Sequence, residues 1–401
     1  HPGVPVPRRV QPMSSPDPSR VLQAIEDWRH DMMAILHDAV ALESPSSAPD
    51  TQGPVLDLFA GHFERLGYAT RRVRGRTTGD HLFVRPEERS PLAHQLVVGH
   101  VDTVWPLGTT TERPPTVDGA RFSGPGSFDM KAGLVQLLAA LHAIDVLGCS
   151  APARIAVFVN SDEEIGSPDS RRWIDALARS AVRAFVLEGA YGLDGAVKVG
   201  RKGVGRYQVK AKGRAAHAGL DPESGASAIL ELTHQIQHLF ALNDPDAGVT
   251  VNVGTIDGGL RPNVVAPEAS AQVDVRVYTA AQAAAVDKAL RSLAAVNPEV
   301  AIEVEGRFGR PPMERNDANE RLAERAQRLA SELGIDLELA VVGGASDGNL
   351  TSQHTATLDG LGAVGDGAHR ADEHVLIDTM SGRAALLALL LLEPTAPGGE
   401  P

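Results

Sequence analysis

Three short apolar runs, HQLVVGH, RIAVFVN and RAFVLEG, limit more than any other feature how this chain can fold. They end near residues 100, 160 and 189, and each has the length of a strand. Helical patterns at 130–147 and 167–178 lie between them. Because strands that are apolar on both faces must be covered on both faces, the runs predict an α/β domain in which a mixed sheet is covered by helices.

The pattern changes near residue 203, where half-exposed strands replace the apolar ones. Strands and helices then follow in the order β-α-β-β-α-β up to about residue 305. This order is typical of a ferredoxin-like α+β domain, a small antiparallel sheet with two helices on one face. We therefore predict a smaller domain inserted into a larger one. The predicted segments are a disordered leader at 1–17, a large domain at 18–202 and 313–401, and the insert at 203–312.

Composition and charge exclude several classes of protein. With 38 basic and 51 acidic residues the formal net charge is −13, which argues against a nucleic-acid partner because such binding needs a basic face. No apolar run approaches the ~20 residues of a membrane helix, so we expect no membrane partner. The single cysteine, Cys149, allows no intrachain disulfide, and no signal peptide is visible. A cytoplasmic location is therefore expected.

Side chains of the kinds that bind metals follow the apolar runs. His100 and Asp102 stand two residues apart on an extended segment, so their side chains point the same way and Asp102 can orient the imidazole. Glu188 ends another strand, where a carboxylate must leave the core or be paired. The stretch NSDEEIGS (160–167) carries three adjacent acids. An ordinary strand-end histidine and a solvated acidic loop are the alternatives.

Two further stretches complete a candidate set. Asp129 opens a helix in GPGSFDMKAG, where a helix cap is the ordinary interpretation, and His369 and His374 lie in a Gly-rich loop, where a surface histidine is the ordinary one. Taken in order along the chain, however, the candidates form a mixed nitrogen and oxygen set. Such a set suits two Zn²⁺ or similar divalent ions with one carboxylate bridging them. A pair of this kind activates water and polarises a carbonyl.

Together these stretches resemble the M20 family of metallopeptidases, also called the ArgE/DapE/glutamate carboxypeptidase family. The resemblance extends over almost the whole chain beyond the leader and keeps the family's order. It implies a zinc-peptidase-like catalytic domain with an inserted lid and dimerisation domain. The stretches that carry it are GHVDTV (99–104), GPGSFDMKAG (124–133), NSDEEIGS (160–167), LEG (187–189), GRAAHAG (213–219), GGASDGN (343–349) and GAHRADEHV (367–375).

The resemblance implies a role for each matching residue of the large domain. It makes Glu163 the general base and Asp102 the residue that orients a metal-bound histidine. It makes Asp129 the bridge between two ions and selects His369, not His374, as the late ligand. The metal ligands that it implies are His100, Asp129, Glu164, Glu188 and His369.

For the insert, the resemblance implies a lid that also forms a homodimer. His217 would reach the active site of the partner subunit and stabilise the oxyanion. Asn263, Arg276, Arg310 and Gly344 would bind substrate. Arg310 is the expected bidentate clamp for a terminal carboxylate, whereas Arg276 is equally compatible with a structural strand residue.

These roles predict a hydrolase with two Zn²⁺ per subunit, or Co²⁺ or Mn²⁺ in their place, that cleaves an amide bond next to a terminal carboxylate. The cues RKG (201–203) and LDGLGAVG (358–365) look closest to glutamate carboxypeptidases, which act on short peptides or N-acyl amino acids. An N-acyl-amino-acid deacetylase or aminoacylase and a dipeptidase of the same family stay open as alternatives. A metal-free binding protein on the same fold is the alternative of another class.

Overall fold

The computed structural model describes residues 16–87 and 93–395 of the chain. Its helices within these residues are α1 (Pro18–Asp27), α2 (Arg29–Ala41), α3 (Gly53–Arg65), α4 (Thr109–Glu112), α5 (Ala132–Val146), α6 (Arg171–Ser180), α7 (Ala228–Phe240), α8 (Ala280–Arg291), α9 (Asp317–Glu332), α10 (Gly348–Thr351) and α11 (Ile377–Leu392). Its strands are β1 (Tyr68–Val73), β2 (His81–Pro86), β3 (His94–His100), β4 (Thr116–Asp118), β5 (Arg121–Ser123), β6 (Arg154–Asn160), β7 (Ala181–Val186), β8 (Val197–Arg201), β9 (Gly203–Lys212), β10 (Thr250–Gly258), β11 (Glu268–Val277), β12 (Ala301–Arg310), β13 (Leu339–Val342), β14 (Thr357–Leu358), β15 (Gly365–Asp366) and β16 (His374–Leu376).

A six-stranded mixed sheet is the scaffold of the larger domain. Its strands lie in the order β1-β2-β6-β3-β7-β14. The strands β6, β3, β7 and β14 are parallel, whereas β1 and β2 run antiparallel to their neighbours. The carboxyl ends of β3, β6 and β7 therefore meet at one edge, the usual place for a site in a sheet of this kind.

Helices cover both faces of this sheet, as the apolar runs predict. Along β3, Val97 packs into the cluster that contains α5 and α11, whereas Leu96 and Val98 pack into a second cluster with α6. The helix α5 is buried along nearly its whole length because it packs against the sheet on one side and α11 on another. None of the helices in the described ranges is long and apolar enough to cross a membrane.

Two smaller sheets hold the segments near the sheet edge. The strands β15, β16, β5 and β4 form one of them, and the loop between β15 and β16 carries His369. The strands β8 and β13 pair in parallel and lead toward the insert. This second sheet lies where the chain leaves the larger domain, because Arg201 and Met313 exchange backbone hydrogen bonds of 2.9 and 3.0 Å.

The inserted domain has the predicted ferredoxin-like arrangement. Its sheet has the order β10-β11-β9-β12, all antiparallel, and α7 and α8 connect the strands. Alternate residues such as Tyr207, Val209 and Val275 pack against the two helices. The side chains between them therefore point to the opposite, open face of the sheet.

Several predicted boundaries differ from the structure. The single helix expected over about 18–42 is two helices, because Trp28 breaks the helical path and stacks on His142 with ring centroids 4.9 Å apart. The strand expected to end at Glu188 ends at Val186, so that this glutamate lies in the following loop. The strand expected over 299–305 continues to Arg310, into the segment expected to be a linker. The leader, apart from Pro16 and Asp17, lies outside the described residues.

Candidate active site

The strand ends of the main sheet bring the predicted ligands together. His100 is the last residue of β3, Glu163 and Glu164 form a 3₁₀ turn after β6, and Glu188 follows β7. With Asp129 they form two groups, and the ligand atoms within each group all lie within 4.8 Å of one another. One group is His100, Glu163 and Glu188, and the other is His100, Asp129 and Glu164.

Asp129 lies between two histidines. Its Oδ1 is 3.2 Å from Nε2 of His100, and its Oδ2 is 3.3 Å from Nε2 of His369. His369 also lies 3.0 Å from Oε2 of Glu164 and adopts a left-handed φ of 61°, which is uncommon outside glycine and recurs at functional sites. A carboxylate with one oxygen directed to each of two histidines has the geometry of a bridging ligand.

Asp102 supports both the imidazole and the turn that carries the glutamates. It accepts hydrogen bonds of 3.1 Å from the backbone N–H groups of Glu163 and Glu164, and one of 2.7 Å from the hydroxyl of Ser46. Nδ1 of His100 lies 3.0 Å from the Asp102 carbonyl oxygen and 3.4 Å from its Oδ1. Asp102 therefore fixes the ring so that Nε2 faces Asp129.

Asp162, the first acid of NSDEEIGS, belongs to neither metal-type group. It is fully buried and accepts hydrogen bonds from the backbone N–H groups of Asp169 and Ser170, at 2.8 and 3.1 Å. Both groups lie at the start of α6, where backbone N–H groups have no partner within the helix. Asp162 is therefore a structural residue that anchors this helix beside the site.

Two glycines allow the backbone around Glu188 to be tightly enclosed. A Cβ at Gly133 would lie 2.2 Å from the carbonyl oxygen of Leu187, and a Cβ at Gly362 would lie 2.8 Å from that of Glu188. Any larger residue would push these segments apart. The two glycines thus let α5 and the loop after β14 hold Glu188 next to His100.

Glu373 is a residue of the site that sequence reasoning missed. Its buried carboxylate accepts hydrogen bonds from Nε1 of Trp105 and from the backbone N–H groups of Gly126, Phe128 and Asp129, all between 2.9 and 3.0 Å. It therefore shapes the loop that presents Asp129. In the sequence Glu373 is marked only as an acid four residues after His369. This position does not reveal its contact with the loop of Asp129, 244 residues away.

Arg201 was also missed. Its guanidinium is buried, donates a 2.6 Å hydrogen bond to Oδ2 of Asp359, and lies 3.6 Å from Oε2 of Glu188. It also donates to the carbonyl oxygen of Gly344 at 3.1 Å. Arg201 therefore links the strand entering the insert to a predicted metal ligand.

The cluster holds several buried carboxylates close together, and their burial and crowding raise the pKa values of three of its side chains. Burial, and then repulsion from Asp129, raises the pKa of Glu164 to about 7. Burial also raises the pKa of Glu163 well above its usual range, against the nearby cation of Arg310. Hydrogen bonds to Asp129 and Glu164 raise the pKa of His369 to about 10. Side chains that hold extra protons among crowded carboxylates form a donor set that fits divalent cations.

A cleft of about 590 Å³ opens from the cluster toward the insert. Glu163, Glu164 and His369 line it on the side of the larger domain. The remaining lining residues include Gly344 and Ala345 together with four arginines of the insert, Arg206, Arg276, Arg307 and Arg310. The cleft thus has space for a small substrate and a basic wall opposite the carboxylates.

The sequence predicts that the guanidinium of Arg310 binds a substrate carboxylate, but in the structure this group is already bonded to other side chains. Arg310 is only 6% exposed and donates hydrogen bonds to Asp347 at 2.6 Å, to Oε1 of Glu163 at 2.8 Å and to Ser167 at 2.9 Å. Arg276 is half-buried, with Nε bound to Asp274 at 2.9 Å. Arg276 is thus the more accessible of the two predicted arginines.

His217 and Asn263 lie together on the insert and not among the residues that line this cleft. The N–H of Ala218 donates to the Asn263 carbonyl oxygen at 3.0 Å, and both side chains are exposed. Nδ1 of His217 accepts hydrogen bonds from the N–H groups of Gly219 and Leu220, each 3.1 Å, which leaves the proton on Nε2. His217 is thus an exposed side chain whose Nε2–H can act as a donor.

Residues 96–393 match the family described as Peptidase family M20/M25/M40. Carboxypeptidase G2 of Pseudomonas sp. (strain RS-16) is 25% identical over 380 residues, which cover 93% of this chain and 91% of that protein. Succinyl-diaminopimelate desuccinylase of Dechloromonas aromatica (strain RCB) is 25% identical over 363 residues, 86% of this chain and 94% of that protein.

Solved structures show the same fold. The Bacillus subtilis YXEP protein, described as a dinuclear metal binding peptidase from the M20 family, superposes with a TM-score of 0.70 at 14% identity. The match covers 92% of this chain and 98% of that one.

Proposed function

Because the chain belongs to peptidase family M20/M25/M40 and is therefore a hydrolase of peptide bonds, we propose that it is a carboxypeptidase-like enzyme with two Zn²⁺ ions. Its substrates are short peptides or N-acyl amino acids, cleaved at the amide bond next to a terminal carboxylate. The observation that carries the proposal is the position of Asp129 between His100 and His369, with one carboxylate oxygen directed to each.

The proposed ligand set divides into two sides around this bridge. His100 and Glu188 would hold one ion, His369 and Glu164 would hold the other, and Asp129 would contribute to both. When bound, such a pair of ions supplies a water that is acidic at neutral pH and polarises the scissile carbonyl. Co²⁺ or Mn²⁺ fits the same nitrogen and oxygen donors.

Glu163 is the proposed general base. Its carboxylate groups with His100 and Glu188 and lines the cleft, so it can meet an attacking water there. It takes the proton from the water as the oxygen attacks the carbonyl carbon, and gives it to the nitrogen that leaves. The pKa of Glu163, raised by burial, suits a group that must both accept and return a proton.

The terminal carboxylate of the substrate is proposed to bind at Arg276, near the backbone of Gly344. Arg310, the arginine that the sequence favours for this role, could reach a carboxylate only by releasing Glu163 or Asp347. Asn263 and His217 are proposed to act in the cleft of a partner subunit, where Nε2 of His217 donates to the developing oxyanion.

The proposed role of His217 requires a homodimer through the insert, and two exposed features of the insert support one. The outer edge of β10 pairs with no other strand among the described residues. Apolar side chains beside this edge are unusually exposed, with Leu260 at 72% and Ile256 at 64%. A second copy of the chain would cover both the edge and these side chains.

A deacylase that removes an N-acyl group from another amino acid is the second candidate. A relative carrying the name succinyl-diaminopimelate desuccinylase favours it. The two candidates use the same chemistry and differ only in the groups that flank the scissile amide.

Metal analysis combined with a substrate panel tests the proposal. Purified protein is expected to contain about two zinc ions per chain, and to hydrolyse N-acyl-glutamate faster than N-acetyl-ornithine or an apolar dipeptide. A chelator should abolish the hydrolysis, and added Zn²⁺ should restore it. Preference for N-acetyl-ornithine would favour the deacylase, and protein that binds no zinc and stays inactive after Zn²⁺ is added would overturn the proposal.

A further inference from the structure

We propose that Arg206 and Arg307 form a recognition site for a second carboxylate of the substrate, beyond the terminal carboxylate next to the scissile amide. This inference rests on the proposed hydrolase function, because the two arginines line the same cleft as Glu163 and His369. It assigns a role to two residues that the sequence did not single out.

The pairing of the strands puts the two arginines side by side. Arg206 of β9 stands directly opposite Arg307 of β12, while its other neighbour, on β11, is Asp274. Tyr207, the next residue of β9, packs into the core of the insert, so the side chain of Arg206 points to the open face. Both guanidinium groups therefore lie on the wall of the cleft.

Like charges directly opposite on neighbouring strands destabilise a sheet. Neither Arg206 nor Arg307 has an ion-pair or side-chain hydrogen-bond partner within residues 16–87 and 93–395. The nearby Asp274 already bonds to Arg276, at 2.9 Å. Two adjacent and uncompensated cations are therefore retained at this position although the chain as a whole carries a net charge of −13.

The other arginines of the cleft are different, because they have carboxylate partners. Arg310 is paired with Glu163 and Asp347, and Arg276 with Asp274. Arg206 and Arg307 are exposed and free to receive an anion from solvent. Two guanidinium forks side by side match the planar, two-oxygen geometry of a carboxylate.

The second carboxylate can come from either side of the scissile amide. It belongs to the side chain of the released amino acid if the substrate is an acyl-glutamate. It belongs to the acyl group if the substrate is a succinylated amino acid. Both share the same recognition chemistry, so the experiment must separate them.

Two matched pairs of substrates, tested with the zinc-loaded enzyme, separate these two sources of the second carboxylate. The first pair is N-benzoyl-glutamate and N-benzoyl-glutamine, and the second is N-succinyl-alanine and its succinamoyl analogue, in which the distal carboxylate is an amide. Wild-type enzyme is expected to prefer the charged member of one pair by about tenfold or more in kcat/KM. The pair that shows this preference identifies the side of the substrate.

The double variant Arg206→Gln/Arg307→Gln is expected to reduce that preference to about twofold or less, mainly through KM. Lys210→Gln is the matched control, because Lys210 lies on the same strand and face but outside the cleft and pairs with Glu305. This control should keep the preference.

The outcomes separate this inference from the proposed function. Hydrolysis without preference in either pair, or a preference that survives in the double variant, overturns the carboxylate site and leaves the hydrolase intact. Failure of the wild-type enzyme to hydrolyse any of the four compounds overturns the carboxylate site, and failure on N-acetyl-ornithine and the apolar dipeptide as well overturns the proposed function.

Discussion

Asp162, Glu163 and Glu164 are adjacent and chemically alike, yet each meets different surroundings in the fold. Asp162 accepts hydrogen bonds from two backbone N–H groups at the start of α6. Glu163 faces Arg310 and the cleft, and Glu164 faces His369. The partners of each side chain, and not the acidic sequence, decide which one can take up a proton and which one can bind a metal.

This division gives a prediction for the two glutamates. Glu163→Gln should keep both metal ions and lower kcat by ~10²–10⁴-fold, because the amide retains an oxygen for Arg310 but cannot accept a proton. Glu164→Gln should in addition weaken metal binding, since it removes a charged ligand. Zinc content and turnover of both variants check this. Normal turnover in Glu163→Gln would show that another group is the base.

Arg310 yields a second prediction at this scale. Because it holds Glu163 and Asp347 by hydrogen bonds of 2.8 and 2.6 Å, Arg310→Gln should lower kcat by about tenfold or more and leave KM nearly unchanged. Arg276→Gln should do the reverse and raise KM, because Arg276 is the proposed carboxylate contact. Steady-state kinetics of the two variants side by side distinguish the roles. A rise in KM for Arg310→Gln with kcat unchanged would return Arg310 to the role of substrate clamp.

The packing of a single helix, α5, fixes the position of the loop that carries Glu188. The helix α5 lies so close to the loop after β7 that a Cβ at Gly133 would be 2.2 Å from the Leu187 carbonyl oxygen. Gly133→Ala should therefore destabilise the metal-free protein by ~1–3 kcal/mol, through overpacking. It should also weaken metal binding by about tenfold, because the loop that carries Glu188 must move. Urea unfolding and metal titration measure the two effects.

Gly61→Ala is the control for this change. Gly61 lies within α3, and a Cβ there would meet only Nη1 of Arg65, at an ordinary 3.8 Å. Alanine is the better helix former, so this variant should be neutral or more stable by up to ~1 kcal/mol. Equal destabilisation by both substitutions would mean that the close approach of α5 has no special importance.

The elements that sequence could predict are those with a continuous apolar signal. The strands β3, β6 and β7 are buried on both faces, so their runs stand out, and the polar residues after them lead to the metal-type cluster. The edge strand β1 escaped prediction because its sequence, YATRRV, is mostly half-exposed and lacks such a run, and its neighbour β2 was missed with it.

Contacts between distant segments were not predictable from single stretches. Glu373 acts on the loop of Asp129 through backbone N–H groups, and no side-chain pattern marks such a partner. The buried pairing of Arg310 with Asp347 likewise exists only because the end of β12 returns beside α10. The resemblance to a family named the residues of the site, whereas only the fold gave their partners.

In the molecule as a whole, the insert and the catalytic cluster are physically joined where the chain crosses between them. Arg201 on the entering strand lies 3.6 Å from Glu188, and Arg310 on the returning strand lies 2.8 Å from Glu163. Motion of the insert would therefore act on a proposed metal ligand, Glu188, and on the proposed general base, Glu163. His217, by contrast, is exposed and does not line the cleft of its own chain, so its proposed role requires the cleft of a second chain.

Subunit complementation tests this last point. Glu163→Gln and His217→Ala homodimers are each expected to be nearly inactive. In a hybrid dimer one site combines an intact Glu163 with an intact His217 of the partner subunit, so a mixture that is dissociated and reassociated should recover about a quarter of wild-type activity, by random pairing of symmetric subunits. Activity before and after reassociation, with sedimentation to confirm the dimer, measures this. No recovery from a confirmed hybrid would mean that His217 serves the cleft of its own chain or none at all.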